Sequence, residues 1–563
     1  MGLLVLVICA IALLLTGYFS YGILFSKILK LRTDARMPAY EFKNGLDFEP
    51  AGKFYLLGQH LSAIAAAGPI VGPILAGLWF GWAPAILWII LGGIFIGGIH
   101  DMSALVASIR HRGQSIAEVI KESMSRRAFI LFLLFLWLSL VYIIIAFTDI
   151  TASTFTDAVR GSAVASSSMM YLGLAVIMGV ILRRFNLSIV VSTLIFLPIV
   201  FLCIYLGPLF PLSPPSILGL DGRTSWNITL LFYCFLASVI PVWLLLQPRG
   251  YLGGFFLTFT AALSLLGIII GAFTQGLHIN YPAFTGWFNP QGLPLFPFLF
   301  TTVACGACSG FHAIVASGTT SKQISRETDA RLVGYGGMLL ESFVAIIALG
   351  ALVMLSRQEA NSLNEPNQIY ANGVATFLNS LGIKKEFAFN LALLAFATFV
   401  YDTLDVATRL GRYIFQELTG WKSKASPYTA TLGTLFLPLA FVSLPVIFMS
   451  QRNLDSQGNP IPAWRVFWTV FGSSNQLLAG LVLFCISVWL FESRKKYLIT
   501  LLPAFFMILV ACVSLSFILW PSLYSILNGR IILDTVGITS CVLLFLAVLL
   551  IMEGLRIFKA GRS

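Results

Sequence analysis

The sequence predicts an all-helical membrane protein that crosses the bilayer about 15 times, through helices that are interrupted near their centres. Of the 563 residues, 58% are apolar and 10% are charged, whereas a typical soluble protein has about 25% charged residues. Apolar runs of about 20 residues, the length that crosses a hydrocarbon core, recur along the whole chain. Several runs contain glycine, proline or an ionisable residue at their centre, which a simple lipid anchor does not need. We therefore expect one integral membrane transporter domain over residues 1–563.

Fifteen apolar segments account for the predicted crossings, and the fifth of them is the shortest. They lie near residues 3–25, 56–79, 84–106, 128–147, 169–182, 187–206, 226–247, 254–273, 296–318, 333–355, 387–407, 428–449, 466–490, 499–519 and 532–552.

The distribution of positive charge predicts an odd number of crossings. Lys and Arg concentrate in cytoplasmic loops, and most of the 35 Lys and Arg residues fall in alternate loops if the amino terminus is external. Arg249 and Arg409 are counted among these loop residues. We therefore expect an external amino terminus and a cytoplasmic carboxyl terminus. Because the basic residues are spread over many short loops, the net charge of +12 reflects topology, and no nucleic-acid partner is expected.

The second segment contains the run AAAGPIVGPILAG, with Gly68, Pro69, Gly72 and Pro73 near its centre. The two prolines remove amide donors that a continuous helix would use, so backbone carbonyls near them need other partners. Hydrocarbon offers none, and such backbone is tolerated only inside protein or along a polar cavity. Solute sites in secondary transporters are built in this way, and we expect a helix break and a substrate contact here.

The ninth segment, TTVACGACSGFHAIVASGTTSK, is the second candidate for a broken helix. Small and hydroxyl residues dominate it, and close helix packing is the alternative explanation for them. Cys305 and Cys308 form a CxxC pair, which can hold a metal or cycle as a redox couple. Because no second CxxC accompanies the pair, we predict neither a metal nor a cofactor. The predicted break or substrate-contact residues are Gly306, Ser309, Gly310, Ser317 and Thr319.

The second and ninth segments are separated by an odd number of crossings, so they are predicted to run in opposite directions. Two interrupted helices of opposite direction are what an inverted repeat requires. Their half-helix N-termini would face an anionic group, and their freed carbonyls would face a cation. This pairing is a hypothesis, since no repeat is visible as sequence identity.

Ionisable and amide residues inside the segments are the candidates for ion coupling and substrate contact. Glu341 lies about 12 Å deep at the helical rise, where burial disfavours its charged form and suits a proton carrier; a hydrogen-bonded structural role is the alternative. Asp405 and Arg409 form an i,i+4 pair that is expected to neutralise itself. The remaining candidates are His60, His312, Asp101 and Asp402 for coupling, and Asn475 and Gln476 for substrate amides or helix packing. His100 and Asp101 are expected at a helix end.

Several long motifs in the same order resemble the carbon starvation protein (CstA) family of peptide transporters, which is grouped with the amino acid, polyamine and organocation superfamily. The matching stretches are GQHLSAIAAAGPIVGP (58–73), the pair His100 and Asp101, SVIPVWLLLQPRGYL (238–252), PLFPFLFTTVACGACSGFHAIVASGTTSK (294–322), ETDARLVGYGGMLLESFVAI (327–346), LDVATRLGRYIFQEL (404–418) and FGSSNQLLAG (471–480).

The resemblance implies peptide uptake across a bacterial or archaeal cytoplasmic membrane, with pyruvate as the substrate of some relatives. It also implies a LeuT-like core of two inverted repeats. We expect that core at about residues 56–490, with peripheral helices at 1–30 and 497–556.

The function expected from the sequence is secondary active import of a small peptide, driven by a proton gradient or by sodium. A symporter of pyruvate or another small carboxylate is the first alternative. No P-loop is present, so an ATP-driven pump is not expected, and neither is an enzyme. A membrane redox subunit, with His60 and His312 as haem ligands, is an alternative of another class. The expected partners are the bilayer, the substrate and the coupling ion, and the oligomeric state is left open.

Overall fold

The computed structural model describes residues 2–560 except 45–46, 66, 124, 158–159, 186, 216, 218, 364, 422, 424, 444–461 and 529–534. Within these residues the chain is helical and has no β-strand, only isolated bridges such as that between Ala51 and Ile324. This confirms the predicted all-helical class. The α-helices are α1 (Gly2–Phe19), α2 (Tyr21–Leu29), α3 (Pro38–Glu41), α4 (Lys53–Ile64), α5 (Gly68–Phe80), α6 (Trp82–Gly92), α7 (Gly98–Arg110), α8 (Ile116–Ser123), α9 (Arg126–Phe155), α10 (Gly161–Phe185), α11 (Ile189–Leu206), α12 (Gly222–Val239), α13 (Leu246–Thr274), α14 (Leu295–Thr302), α15 (Ala304–Ala307), α16 (Gly310–Gly318), α17 (Gly337–Val353), α18 (Arg357–Leu363), α19 (Pro366–Asn379), α20 (Lys385–Thr419), α21 (Ser426–Ser443), α22 (Ala463–Glu492), α23 (Leu498–Leu527) and α24 (Thr535–Ala560).

The described residues contain 11 helices that are long and apolar enough to cross a membrane, or up to 12 if the bent pair α4 and α5 counts as one span. The other predicted crossings coincide with α12, α21 and the interrupted run α14–α16. The end of the predicted segment 428–449 lies outside the described residues. The total of 15 crossings therefore stays a prediction.

Local sequence signals explain where several helices begin and end. The Asp221 carboxylate accepts hydrogen bonds from the amides of Arg223 and Thr224, each at 3.0 Å, and so caps the start of α12. The Ser188 hydroxyl caps α11 in the same way. The 35-residue helix α20 ends at Gly420, whose φ of +68° is the left-handed conformation that glycine adopts without strain. These signals mark where α11 and α12 begin and where α20 ends.

The second and ninth predicted segments are both interrupted and lie against each other in opposite directions. α4 ends before Ala65 and α5 begins at Gly68, with a bend of 46° between them. His60 contacts Thr320 at 2.9 Å, whereas a Cβ atom added to Gly68 would lie 2.3 Å from the Cβ of Cys305. A later residue of the second segment therefore lies beside an earlier residue of the ninth, so the two segments run antiparallel. The predicted discontinuous helices are confirmed, and the opposite directions that an inverted repeat requires are present.

Two π-helical turns precede two of the candidate acidic residues. The first, Gly93–Gly97, leads into α7, and the second, Arg331–Gly336, leads into α17. They contact each other, because the Tyr335 hydroxyl donates a hydrogen bond of 2.9 Å to the carbonyl of Ile94. π-helical turns are rare and occur often at functional sites. Here they set the direction in which Asp101 and Glu341 project from the following helices.

Close packing of α13 on α4 depends on glycine. A Cβ atom added to Gly254 would lie 1.9 Å from the carbonyl oxygen of Gly58, so the two backbones touch. We expect Gly254→Ala to destabilise the protein by about 1–3 kcal/mol, because the helices must separate. Thermal unfolding in detergent measures the change. The control is Gly173→Ala in α10, where an added Cβ meets nothing within 4 Å; an equal loss of stability in both variants would contradict the packing explanation.

Candidate functional site

The site lies where the two interrupted segments meet. Cys308 and Ser309 are extended, with φ of −165° and −136°, and separate α15 from α16. This interruption falls within the interval 306–310 that the glycines indicate. The first interruption begins three residues before Gly68, on the N-terminal side of the predicted prolines. Pro69 lies in the first turn of α5, where proline is tolerated, and Pro73 lies inside that helix.

Asn475 of α22 holds the second interruption in place. Its side-chain oxygen accepts hydrogen bonds from the Phe311 amide at 2.9 Å and from the Ser309 hydroxyl at 3.2 Å. Its side-chain nitrogen donates to the same hydroxyl at 2.9 Å. The neighbouring Gln476 donates to the carbonyl of Cys308 at 3.1 Å. Both amides therefore satisfy backbone groups that the broken helix leaves without partners.

The small residues of the ninth segment pack closely against other helices. A Cβ atom added to Gly306 would lie 2.8 Å from the Cβ of Ala345. One added to Gly310 would lie 2.5 Å from the Cβ of Leu478. Gly72 packs in the same way, with the Thr302 carbonyl 2.5 Å from an added Cβ. The Ser317 and Thr319 hydroxyls donate to backbone carbonyls one turn earlier in the chain.

Four ionisable residues form what we call the His312 cluster: His312, Asp101, Glu341 and His100. Asp101 accepts from Nδ1 of His312 at 2.8 Å and contacts Nδ1 of His100 at 2.8 Å. Nε2 of His312 lies 3.1 Å from a carboxylate oxygen of Glu341. All four side chains are fully buried. We expected His100 and Asp101 at a helix end, and this is wrong. Both residues follow the start of α7, but α7 continues without a break from the π-helical turn Gly93–Gly97, so both side chains lie in the bundle interior.

A second buried group, the Arg249 cluster, consists of Arg249, Asp402, Asp405 and Tyr233. The Arg249 guanidinium donates to Asp402 through Nε at 2.7 Å and lies 2.5 Å from Asp405 through Nη1. The Tyr233 hydroxyl donates to Asp405 at 2.7 Å. Arg249 and Asp405 are fully buried. Asp402 also accepts from the Ser62 hydroxyl, which lies next to the end of α4.

The partners within this cluster differ from the sequence expectation. Arg249 was assigned to a loop, but it lies in the first turn of α13, inside the bundle. Asp405 is paired with Arg249, whereas Arg409 donates to the carbonyls of Ala237 and Ile240 and lies 3.6 Å from Asp47. The expected Asp405–Arg409 ion pair is therefore wrong. A buried guanidinium needs several acceptors, and the C-terminal end of α12 together with Asp47 supplies them to Arg409.

His60 lies between the two clusters. Its Nδ1 atom contacts the Thr320 hydroxyl at 2.9 Å. The cavity that it lines together with Asp402 has a volume of about 10 Å³, which is room for about one water molecule. A haem does not fit there.

A cavity of about 690 Å³, which we call the vestibule, reaches inward to Ile314 and Gly318 of α16. Lys322 lies in its wall, with Nζ 4.8 Å from the ring centre of Tyr413. Burial lowers the pKa of Lys322, and the charges of Asp47 and Glu417 act in the opposite direction. The vestibule carries both signs of charge, from Arg112, Lys121, Lys322, Glu118 and Glu417.

Comparison with known proteins identifies the family of this architecture. The family model described as "Carbon starvation protein CstA" matches residues 2–371 and 362–514. The "Peptide transporter CstA" of Escherichia coli (strain K12) is 31% identical over 552 residues, which cover 87% of this chain and 77% of that protein. The protein of the same name from Helicobacter pylori (strain J99 / ATCC 700824) is 32% identical, with coverage of 89% and 79%.

Two further comparisons give a relative and a solved structure. The "Pyruvate/proton symporter BtsT" of Escherichia coli (strain K12) is 29% identical to this chain, and the alignment covers 89% of this chain and 80% of that protein. The crystal structure of MhsT in complex with L-phenylalanine aligns with a TM-score of 0.49 at 14% identity, over 83% of this chain and 98% of that one. The family match and the relatives above 30% identity, each aligned over most of its length, show that this chain belongs to the carbon starvation protein CstA family.

Proposed function

We propose that the chain is a secondary transporter that imports small peptides across the cytoplasmic membrane by proton symport. The observation that carries the proposal is the pair of interrupted, oppositely directed segments, whose breaks lie beside the buried ion pairs of the His312 and Arg249 clusters. Irregular backbone at membrane depth is stable only within protein or along a solute path, and transporters place their sites at such breaks. The names of the relatives, a peptide transporter and a pyruvate/proton symporter, support the same class.

Charge balance in the Arg249 cluster supports proton coupling. One guanidinium faces two carboxylates, so the fully ionised cluster carries one uncompensated negative charge inside the bundle. An unpaired buried charge is costly, and binding of one proton removes it. Asp405 is the acceptor that we propose, because its Oδ1 atom has no hydrogen-bond partner among the described residues.

The same cluster contacts the first broken helix. Asp402 accepts from Ser62, and the Thr403 hydroxyl donates to the carbonyl of Ala63 at 3.0 Å. Both contacts lie within three residues of the end of α4. Protonation of the cluster therefore changes the electrostatic environment of the break itself, which is the link between proton and substrate movement that symport requires.

We propose the vestibule as the path on the cytoplasmic side. Its volume of about 690 Å³ lies within the range of about 300–1,000 Å³ that is typical of small-molecule sites. Cationic and acidic side chains share its wall, so the two charged ends of a zwitterionic peptide have complementary partners. A cytoplasmic position also agrees with the basic residues around its mouth, and with the external amino terminus that the charge pattern predicts.

We place the transport core at about residues 56–490, with peripheral helices at 1–30 and 497–556. Helices α20 and α22 are 83% and 89% buried over their apolar windows. The spans Gly2–Leu29, Leu498–Leu527 and Val536–Glu553 are only 28%, 39% and 33% buried. This difference supports a peripheral position for the first and last helices, although the span Ile189–Leu209 within the proposed core is equally exposed, at 28% buried.

Uptake into proteoliposomes tests the proposal. The purified chain is reconstituted, a proton or a sodium gradient is imposed, and accumulation of a panel of dipeptides and tripeptides is compared with that of pyruvate. We expect proton-driven accumulation of peptides, and competition among them. Accumulation of pyruvate alone would favour the carboxylate symporter, and dependence on sodium alone would contradict the assigned coupling ion. An absorbance spectrum of the purified protein with a stoichiometric Soret band would favour the redox alternative.

A further inference from the structure

We infer that Cys305, His312 and Glu341 form a binding site for one transition-metal dication of the zinc class. Each residue offers one ligand atom: a thiolate sulfur, an imidazole nitrogen and a carboxylate oxygen. The three atoms lie within 4.8 Å of one another, and all three side chains are buried. The site lies in the second broken segment, where α15 and α16 face α17.

The spacing fits a metal if the ligand atoms, which lie within 4.8 Å of one another, approach by up to about 1 Å. Zinc binds sulfur at about 2.3 Å, nitrogen at about 2.0–2.1 Å and carboxylate oxygen at about 2.0–2.2 Å. Two ligand atoms on a tetrahedral zinc ion are therefore separated by roughly 3.3–3.7 Å. Nε2 of His312 and Oε2 of Glu341 are already 3.1 Å apart. Three protein ligands leave a fourth position open, as is usual in exchangeable zinc sites.

Unpartnered atoms provide independent evidence for a ligand. Nε2 of His312 and both carboxylate oxygens of Glu341 have no hydrogen bond of good geometry within the part of the chain that the structure describes. Both side chains are fully buried. Buried polar atoms are normally satisfied, and a dication placed between these residues would bind Nε2 of His312 and one carboxylate oxygen of Glu341. The thiolate and the Glu341 carboxylate neutralise a dication, and the neighbouring Asp101 carboxylate contacts Nδ1 of His100 at 2.8 Å.

The groups around the three ligands match those of known metal sites. The second ring nitrogen of a metal-binding histidine usually donates a hydrogen bond, often to a carboxylate. Nδ1 of His312 lies 2.8 Å from Asp101. Because the carboxylate accepts this hydrogen bond, Nδ1 carries the proton and Nε2 presents its lone pair to the site. At Cys305, the Asn475 amide nitrogen donates to the sulfur at 3.7 Å and can stabilise its thiolate form, whereas the Ser309 hydroxyl accepts from the thiol at 3.7 Å.

The site uses only one cysteine of the CxxC pair. Cys308 is in extended backbone and is absent from the group of convergent ligand atoms. This differs from the arrangement that a CxxC motif suggests, in which both sulfurs bind one ion. It also provides a matched control, since Cys308 is a second cysteine of the same break and is equally buried. The proposed proton acceptor, Asp405, belongs to the Arg249 cluster and is not a ligand of this site, so metal binding and proton coupling are tested separately.

Cobalt binding by the purified full-length chain tests the site. The protein is treated with a chelator, titrated with Co²⁺, and then titrated with Zn²⁺ in competition. We expect one Co²⁺ per chain, a thiolate-to-cobalt charge-transfer absorption, and displacement by Zn²⁺. Cys305→Ser should abolish this absorption, Cys308→Ser should retain it, and Asp101→Asn should weaken binding about 10–100-fold. A charge-transfer band that persists in Cys305→Ser, or that is lost equally in Cys308→Ser, would overturn the inference.

A measurement on the unmodified protein covers the case in which a variant does not fold. X-ray absorption at the zinc edge counts the ligands by element, and we expect one sulfur together with nitrogen and oxygen ligands. Two sulfurs would assign the metal to the CxxC pair, and the absence of sulfur would remove Cys305 from the site; either result overturns the inference. Size-exclusion profiles identify the variants that are folded.

Discussion

Asp405→Asn is expected to abolish proton-driven accumulation of substrate while leaving exchange across the membrane intact. The amide has nearly the shape of the carboxylate, but it removes the second negative charge that faces Arg249. The cluster is then neutral without a proton, so the proton gradient no longer favours one direction. A gradient of about two pH units can drive about 100-fold accumulation at one proton per substrate, since each unit is worth about 1.36 kcal/mol. Asp405→Asn should only bring the substrate to equal concentrations on the two sides of the membrane.

The measurement compares gradient-driven uptake with counterflow in proteoliposomes. Glu386→Gln is the matched control, because it makes the same chemical change near the start of the same helix, α20, at an exposed position. The control should accumulate substrate normally. Accumulation by Asp405→Asn at the level of the unmodified protein would remove Asp405 from the coupling mechanism.

Arg249→Met is expected to cause the largest loss of stability among single substitutions in the site. It leaves the Asp402 and Asp405 carboxylates facing each other inside the bundle without a cation. Removing one partner of a buried ion pair typically costs about 3–5 kcal/mol, because the remaining charge has no compensation. Thermal unfolding in detergent at neutral pH should show the loss.

A triple variant separates charge from packing. Arg249→Met combined with Asp402→Asn and Asp405→Asn removes the cation and both carboxylates together. It should recover most of the lost stability, because no unpaired charge remains. If the triple variant is as unstable as Arg249→Met alone, the loss comes from packing of the guanidinium and not from charge.

The spans and the two interruptions could be predicted because their causes are local. Apolar length identifies a span, and the clustered glycine, proline and small residues indicate where helical backbone fails. The position of the first break was displaced by a few residues, since proline is compatible with the start of α5 and the chain departs from the helix before it. Helix α19 was not predicted as an element, because asparagine and glutamine lower its hydropathy although neighbouring helices bury most of it.

The partners within the site could not be predicted, because they come from different helices. The spacing of Asp405 and Arg409 indicated a pair on one helix face, yet the closest cation to Asp405 is Arg249 from α13. Arg249 follows a proline near the end of an apolar segment, where charge counting assigned it to a loop. An unpaired Asp402 in a membrane helix was the one signal that another cation must lie nearby.

The two π-helical turns allow the helices before the His312 cluster to differ in length by one residue without turning the cluster residues away. Each wide turn holds one surplus residue compared with an α-helix, and every residue of an α-helix rotates its successors by about 100°. Deleting the surplus residue within Gly93–Gly97 would therefore leave a regular α-helical turn and keep Asp101 directed at His312. A single-residue gap in a related sequence at this point would indicate a regular helix that still carries the same ionisable centre.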